Sequence, residues 1–205
     1  AVIDCTGHGV PGAFMSMIGS RLLSEIIIEK QYLSPAEILE QLDKGIRKAL
    51  KQDKSANNDG MDVCLCRFDT KENGQTEVTF SGAKRPLIFY RQNEGEIRRL
   101  QGSRKSIGGV KIRNDKIQFV EHTLTFSTHD ILYLSTDGYI DQNNPERRRF
   151  GTKRFISLIK QTVDKPLQLQ EDRLELELNK HQQNADQRDD ITVIGLRLIP
   201  TKSLK

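Results

Sequence analysis

The sequence predicts an α+β fold in which antiparallel sheets are covered by helices. In the middle of the chain the apolar residues follow a two-residue period, and turns rich in Gly, Asn, Asp and Lys divide this region into strands. Six strands in succession favour antiparallel pairing. The first is apolar on both alternating faces, so we expect it to lie between a second sheet and helices. The six predicted strands cover residues 61–69, 77–82, 87–92, 96–100, 117–126 and 130–136.

Helices are predicted on both sides of this strand region. After a short strand over residues 1–4, apolar residues at helical spacing predict a mostly buried helix that runs to residue 30; they are Phe14, Met17, Ile18, Leu22 and Ile26. Ser34 as N-cap, Pro35 in the first turn and Glu37 three residues after the cap predict a second helix over 34–51. Later helices are predicted over 152–162 and, from its Leu, Glu and Gln content, over 166–183; a strand over 191–198 follows.

The composition is that of a globular protein. The chain has 205 residues, of which 36% are hydrophobic and 29% charged, and is long enough to bury a core. Because 32 basic residues nearly balance 28 acidic ones, nucleic acid is not an expected partner. Basic pairs such as Lys84-Arg85 are expected on solvated loops, with a rim for a phosphorylated partner as the alternative. Cys5, Cys64 and Cys66 lack metal-ligand spacing, and with no signal peptide or membrane-spanning run they predict reduced structural cysteines and a cytoplasmic location.

Three aspartates, far apart in the sequence, each border an apolar, strand-like run. Asp4 follows residues 1–3, Asp137 follows 131–136, and Asp189 precedes 191–194. If these side chains converge in the fold, their like charges require a divalent cation or a proton, and hard cations prefer such oxygen ligands. The pattern therefore predicts a metal centre. Because Asp4 has almost no strand before it, we expect the chain to be a fragment of a longer protein.

The loop after Asp4 matches the glycine pattern G-x-G-x-x-G over residues 7–12, which opens many dinucleotide-binding domains. The rest of such a unit is missing, since the next helix leads to another helix and not to a second parallel strand that ends in an acidic residue. Asp4 would also direct a negative charge towards a pyrophosphate. We therefore expect no nicotinamide or flavin site, and interpret the loop as a turn of small residues where backbone can approach a cation or a phosphate.

Three segments carry a more specific signal. They read D-C-T-G-H-G-V-P-G-A-F-M-S at residues 4–16, S-T-D-G-Y-I-D at 135–141 and R-D-D-I-T-V-I at 188–194. In this order they resemble the signature motifs of the bacterial serine phosphatases named after sporulation stage II protein E, a branch of the metal-dependent type 2C protein phosphatases. The resemblance implies one catalytic domain over residues 1–205, a β-sandwich of two antiparallel sheets flanked by helices, with two Mn²⁺ or Mg²⁺ ions between the sheets.

The resemblance also implies roles for individual residues. Asp4 would bridge the two ions, the backbone carbonyl of Cys5 would contact one of them, and Asp137 and Asp189 would each supply a carboxylate. The near shell of the site would contain Asp141 and Asp190.

Histidine could add acid catalysis to this site. His8 is our candidate for protonating the departing seryl oxygen, because histidine titrates near neutral pH. A loop histidine bonded to backbone is the alternative for His8. We interpret His122, His129 and His181 as structural.

Two departures from the family pattern affect the expected site. The family carries another metal-binding aspartate on a strand before the Asp4 motif, and the chain starts too late to contain it, so we expect an incomplete metal site and impaired activity in this fragment. In the wider type 2C family a Gly-Asp-Ser-Arg-like turn supplies an aspartate to a third metal. The corresponding stretch here reads G-A-K-R-P at residues 82–86, from which we predict no third-metal ligand.

For function, the resemblance implies hydrolysis of phosphoserine or phosphothreonine on a regulatory protein, such as an anti-sigma-factor antagonist in a bacterial partner-switching pathway, under the control of an upstream sensor domain. Two alternatives stay open. A binding or dimerisation module without turnover is one, although it gives no reason to keep mutually repelling carboxylates. A metal-dependent hydrolase of small phosphate esters is the other, because specificity is expected in the loops 53–60 and 104–115. A homodimer is left open as a partner.

Overall fold

A computed structural model describes residues 1–7, 9–109 and 118–199 of the chain. The chain divides into two compact units. The first unit comprises Ala1–Leu87 and Leu100–Phe126, and the second comprises Ile88–Arg99 and Ser127–Lys205. Each unit contains one sheet and its own helices.

The first unit is built on an antiparallel sheet. Its strands follow the order β1-β2-β3-β7, and β6 pairs with β2. They are β1 (Val2–Cys5), β2 (Gly60–Thr70), β3 (Thr76–Ala83), β6 (Ile107–Gly108) and β7 (Glu121–Phe126). The register of β1 on β2 places Asp4 directly opposite Asp62. In the middle of β2, Val63 and the next residue, Cys64, are both fully buried, which confirms that this strand is covered on both faces.

Two helices complete the first unit. The helix α1 (Gly9–Ser24) continues into a π-helical turn over Glu25–Glu29, and α2 spans Pro35–Ala49. Side chains of α2 and β2 form the centre of the core, together with Ile107 of β6. The predicted start of α2 is confirmed, because the Ser34 hydroxyl accepts a hydrogen bond from the Glu37 backbone N–H at 3.2 Å.

The prediction that α1 is mostly buried was wrong for half of its apolar residues. Phe14 is 61% exposed and Met17 is 68% exposed. The buried residues of the helix are instead Gly12, Met15 and Gly19. A methyl group at Gly19 would lie 2.9 Å from the Met61 side chain, so this close approach depends on the missing side chain.

A buried ion pair fastens α2 to β6. Asp43 is fully buried and its Oδ2 lies 2.7 Å from Nε of Arg47, while its Oδ1 accepts the Gly108 backbone N–H at 2.7 Å. Arg47 donates to the carbonyl of Gly109 at 2.6 Å. Every oxygen of Asp43 is thus hydrogen-bonded, which is the condition under which a buried carboxylate is tolerated.

The second unit has an antiparallel sheet in the order β5-β4-β8-β9. Its strands are β4 (Leu87–Arg91), β5 (Glu96–Leu100), β8 (Ile131–Ser135) and β9 (Val193–Arg197), and its helices are α3 (Gly138–Asp141), α4 (Thr152–Thr162) and α5 (Leu167–Gln182). Phe155 and Ile159 of α4 join the core of this unit. Tyr133 donates to Gln170 at 2.6 Å, and Tyr139 donates to the Leu174 carbonyl at 2.7 Å. Burial raises the pKa of both tyrosines, so they remain hydrogen-bond donors.

The fold class and most elements agree with the sequence predictions. Both sheets are antiparallel and carry helices, as the type 2C fold requires. The later helices α4 and α5 are confirmed, whereas the short elements β6 and α3 were not predicted. The strand predicted over 117–126 is seen from Glu121, and Ile117 lies outside the described residues. In the described part of the chain, no helix combines the length and the apolar character needed to cross a membrane.

Candidate metal centre

The first candidate region surrounds Asp4 at the end of β1. Because Asp62 lies opposite Asp4 in the register of the sheet, two carboxylates of like charge are neighbours. Arg85, from the turn after β3, compensates them. Its Nη2 donates to Asp62 at 3.2 Å, and its Nη1 lies 3.9 Å from Oδ2 of Asp4.

The loop after Asp4 is fastened to the start of β2. The backbone N–H of Thr6 donates to the Gly60 carbonyl at 2.9 Å, and the Thr6 hydroxyl accepts the Gly60 N–H at 2.8 Å. These bonds hold the backbone of Cys5, the residue predicted to offer its carbonyl to a metal. A methyl group at Gly12 would lie 2.7 Å from the Gly7 carbonyl oxygen, so the loop also requires glycine there. His8, the candidate proton donor, lies outside the described residues.

The second candidate region joins the segment after β8 to the segment before β9. Thr136 is buried between them. Its backbone N–H donates to the Thr192 carbonyl at 3.1 Å, and its hydroxyl donates to the Asp190 carbonyl at 2.8 Å and accepts the Thr192 N–H at 3.0 Å. Gly138 sits directly against the Asp190 carbonyl, in a space that no side chain could share. The two segments are therefore clamped together by neutral hydrogen bonds and close backbone contact.

This clamp brings together two of the predicted metal ligands. Asp137 and Asp189 each offer a carboxylate oxygen, and these two oxygens lie within 4.8 Å of each other. Asp189 also accepts the Asp190 backbone N–H at 2.8 Å, but it forms no ion pair with any described residue. Two oxygens that bind one divalent cation at about 2.0–2.6 Å can be separated by such a distance. The donor set and the spacing of this pair fit a hard cation such as Mn²⁺ or Mg²⁺.

The near-shell residues are placed differently from one another. Asp141 lies in α3, where its N–H donates to the Asp137 carbonyl at 2.9 Å, and its carboxylate forms a 3.2 Å ion pair with Arg149. Asp190 contributes its backbone to the Thr136 clamp. His181 is buried, with Nε2 3.1 Å from the Gln142 carbonyl oxygen, an arrangement typical of a structural histidine.

The sequence patterns did not identify Asp62 and Arg85 as neighbours of Asp4 in the candidate site. Asp62 had one signal, an acidic residue inside the otherwise apolar run M-D-V-C-L-C over residues 61–66. Arg85 belongs to the Lys84-Arg85 pair that is expected on a solvated loop, and this prediction was wrong for Arg85, whose side chain is only 11% exposed. Neither the register that opposes Asp4 to Asp62 nor the direction of the Arg85 side chain can be obtained from residue spacing alone.

Comparison with known proteins identifies the class of fold. A family model described as stage II sporulation protein E (SpoIIE) matches residues 1–199. The phosphoserine phosphatase RsbP of Bacillus subtilis (strain 168) is 21% identical over 189 residues, which make up 92% of this chain. The chain spans only 42% of the length of that relative.

Solved structures extend this likeness to the fold. The PP2C domain of SiaA from Pseudomonas aeruginosa superposes with a TM-score of 0.77 at 29% identity, over 95% of this chain and 73% of that one. A structure of the RsbU and RsbW domains of Rv1364c from Mycobacterium tuberculosis gives a TM-score of 0.67 at 22% identity, over 98% of this chain and 51% of that one.

Proposed function

The chain belongs to the SpoIIE family of serine phosphatases, and from this premise we propose that it hydrolyses phosphoserine or phosphothreonine on a regulatory protein with the help of divalent cations. The observation that carries the proposal is the Asp137–Asp189 pair, whose oxygens lie within 4.8 Å of each other, while no cationic side chain among the described residues pairs with Asp189. Bringing like charges together has a cost that a bound cation removes.

We propose that Asp4 and the Cys5 carbonyl complete the oxygen ligands offered by Asp137 and Asp189. The preference of Mn²⁺ and Mg²⁺ for oxygen supports this ligand set. When bound, two such ions would neutralise phosphoryl charge and lower the pKa of water, which suits direct hydrolysis of a phosphate monoester. The task of the protein is then to hold the carboxylates at fixed positions, and the Thr6 and Thr136 hydrogen bonds support that role.

The remaining roles follow from chemistry rather than from described geometry. We propose that His8 donates a proton to the departing seryl oxygen, because histidine is the usual side chain for proton transfer near neutral pH. Asp141 and Asp190 would orient groups around the ligands. Asp141 is itself paired with Arg149, so its charge is already partly compensated.

The substrate class is suggested by relatives, and not by the loops of this chain. RsbP is named a phosphoserine phosphatase, and the RsbU and RsbW domains occur together in one solved structure. We propose a phosphorylated anti-sigma-factor antagonist or a similar small regulatory domain as substrate. We further propose that both units form one catalytic domain that acts in the cytoplasm, controlled by a sensor domain in a longer parent protein.

The test is release of phosphate from a phosphoserine protein by the full-length protein as Mn²⁺ is titrated. We expect activity that depends on Mn²⁺ and is lost in Asp137→Asn. The matched control is Asp172→Asn, an exposed aspartate on α5, which should retain wild-type turnover. Equal rates in the wild type and Asp137→Asn would refute the proposal.

Two alternative functions give different results in the same preparation. A binding or dimerisation module would show no Mn²⁺ binding that depends on Asp137 and Asp189 in calorimetry. A hydrolase of small phosphate esters would turn over para-nitrophenyl phosphate and nucleotides much faster than a phosphoserine protein. The exposed apolar side of α1 is the feature that favours a binding role, whereas the Asp189 carboxylate, which forms no ion pair with a described residue, favours catalysis.

A further inference from the structure

A cluster of charged side chains surrounds Asp62 inside the first unit. Asp62 accepts hydrogen bonds from the Ser106 hydroxyl at 2.6 Å and from Nη2 of Arg85 at 3.2 Å, and Nζ of Lys84 lies 3.7 Å away. The Asp62 carboxylate is therefore saturated by its neighbours. Its hydrogen bond with Nη2 holds one edge of the Arg85 guanidinium in a fixed position.

The other edge of the same guanidinium is directed at Asp4. Nη1 of Arg85 lies 3.9 Å from Oδ2 of Asp4, and the Arg85 side chain is only 11% exposed. A planar guanidinium held by one carboxylate has a defined orientation, unlike an arginine on an open surface. Arg85 thus presents a fixed positive charge beside the carboxylate that is proposed to bind metal.

The backbone that carries Arg85 is also built for a fixed position. Lys84 adopts a left-handed conformation with φ of 56°, its N–H donates to the Ser103 carbonyl at 2.7 Å, and the Arg85 N–H donates to the Ala83 carbonyl at 2.7 Å. The Arg85 carbonyl fills the space that side chains at Gly82 and Gly102 would need. The turn therefore cannot shift without disturbing two neighbouring strand ends.

We infer that Arg85 binds the phosphoryl group of the substrate and that Asp62 is the positioning residue that holds Arg85 for this task. The inference rests on the proposed phosphatase function. A phosphate monoester is a dianion, and arginine is the side chain whose donors match phosphate oxygens in pairs. An arginine that only neutralised Asp4 would compete with metal for that carboxylate, whereas a phosphate-binding arginine acts on the substrate.

These two roles of Arg85 predict opposite measurements. Phosphate binding predicts that Arg85→Ala raises the KM for para-nitrophenyl phosphate and weakens inhibition by inorganic phosphate, each by about ten- to a hundredfold, because charge-assisted hydrogen bonds are lost. Affinity for Mn²⁺ should not fall, because the change removes a positive charge that lies 3.9 Å from Asp4. Arg85→Lys should restore part of the phosphate affinity, since it returns the charge without the paired donors.

The experiment uses the full-length protein and measures Mn²⁺ binding by calorimetry, inorganic phosphate binding to the Mn²⁺-loaded form, and steady-state kinetics. Asp62→Asn should shift KM and phosphate affinity in the direction of Arg85→Ala, with a smaller effect. The matched control is Arg67→Ala, which removes an arginine from β2, the strand that carries Asp62; Arg67 forms a partly exposed ion pair there with Asp69. Circular dichroism and thermal unfolding confirm that each variant is folded.

Two outcomes would overturn the inference. Tighter Mn²⁺ binding by Arg85→Ala with unchanged KM and phosphate affinity would identify Arg85 as a neutraliser of Asp4. Parallel small losses in Arg85→Ala and Arg67→Ala would identify a structural ion pair. The proposed function is judged separately by wild-type turnover: if the wild type lacks turnover, the loss of phosphate binding in Arg85→Ala still decides the role of this residue.

Discussion

The Asp4 region and the Asp137 region tolerate clustered carboxylates in different ways. Around Asp4, the opposing Asp62 is compensated by charged side chains, chiefly Arg85. Around Asp137, the carboxylate of Asp189 receives no charged partner from the described residues, and the segments are held by the neutral hydrogen bonds of Thr136.

The two ways of holding carboxylates suit two different tasks, the binding of substrate charge and the binding of metal. Charge compensation by arginine stabilises a carboxylate permanently, but it also reduces the attraction of that carboxylate for a cation. Neutral hydrogen bonds such as those of Thr136 fix the position of a chain segment without adding a compensating charge to it. The Asp137 region is therefore the part where bound metal should contribute most, and the Asp4 region is the part where substrate charge can meet a protein cation.

The largest effect is expected from removing the carboxylate of Asp189, which forms no ion pair with any described residue. Asp189→Asn should lower Mn²⁺-dependent turnover by about a thousandfold, because several kcal/mol of transition-state charge stabilisation is lost. Thermal stability without metal should rise slightly or stay unchanged, since a repulsion is removed. Kinetics and calorimetry measure both quantities. A marked loss of stability in metal-free buffer would break the comparison, because it would mean that Asp189 is already compensated.

The next largest effect is expected from removing the buried ion pair between Asp43 and Arg47 in the first unit. Asp43→Ala should destabilise the protein by about 3–5 kcal/mol, because it leaves the Arg47 charge and the Gly108 N–H without their buried partner. Urea unfolding measures this change. Asp53→Ala, at an exposed loop position, is the control and should stay within about 0.5 kcal/mol of the wild type. Similar values for both variants would contradict the importance of the Asp43–Arg47 pair.

A smaller effect is expected at the neutral clamp of the second unit. Thr136→Val should cost about 1–3 kcal/mol, since it leaves the Asp190 carbonyl and the Thr192 N–H without the hydroxyl. Thr136→Ser should recover most of this loss because it returns the hydroxyl. The comparison becomes sharper if high salt leaves the cost of Thr136→Val unchanged, as expected for neutral hydrogen bonds. Chemical unfolding at two salt concentrations provides the measurement.

The smallest effect is expected at the exposed side of α1. Phe14→Ser should change the free energy of unfolding by no more than about 0.5 kcal/mol, because little of the ring is buried. Met15→Ala, one residue further and almost fully buried, should cost about 2–5 kcal/mol. Calorimetric unfolding of the two variants checks the assignment of the faces. A large loss of unfolding free energy in Phe14→Ser would show that Phe14 is buried, as the periodicity of α1 predicts.

Local signals in the sequence were sufficient for some elements and insufficient for others. The start of α2 could be predicted because the cap at Ser34 depends on residues within one turn. The covered face of α1 could not, because Gly12 packs on the Gly7 carbonyl and Gly19 on Met61 of β2, and hydrophobic periodicity does not register such close contacts of glycine. The two-residue pairing of β6 was too short to stand out.

The residue types of the candidate site could be predicted from the sequence. The hydrogen bonds and ion pairs that hold these residues in place could not. The aspartates were identified from their places beside apolar runs. Their supports depend on contacts between distant segments, such as Thr136 with Asp190 and Arg85 with Asp62. A hydrogen bond across more than fifty residues, like that of Thr136, leaves no periodic trace in the chain.

The contact of Gly138 with the Asp190 carbonyl offers a means of disturbing the geometry of the candidate site without altering the charge of the protein. A methyl group at this position would press on the Asp190 backbone and meet the Ile191 side chain at 3.0 Å. Gly138→Ala would therefore push the two segments apart and move Asp137 relative to Asp189, while the number of acidic groups stayed the same. Such a variant separates the position of the two carboxylates from the net charge of the protein, which stays that of the wild type.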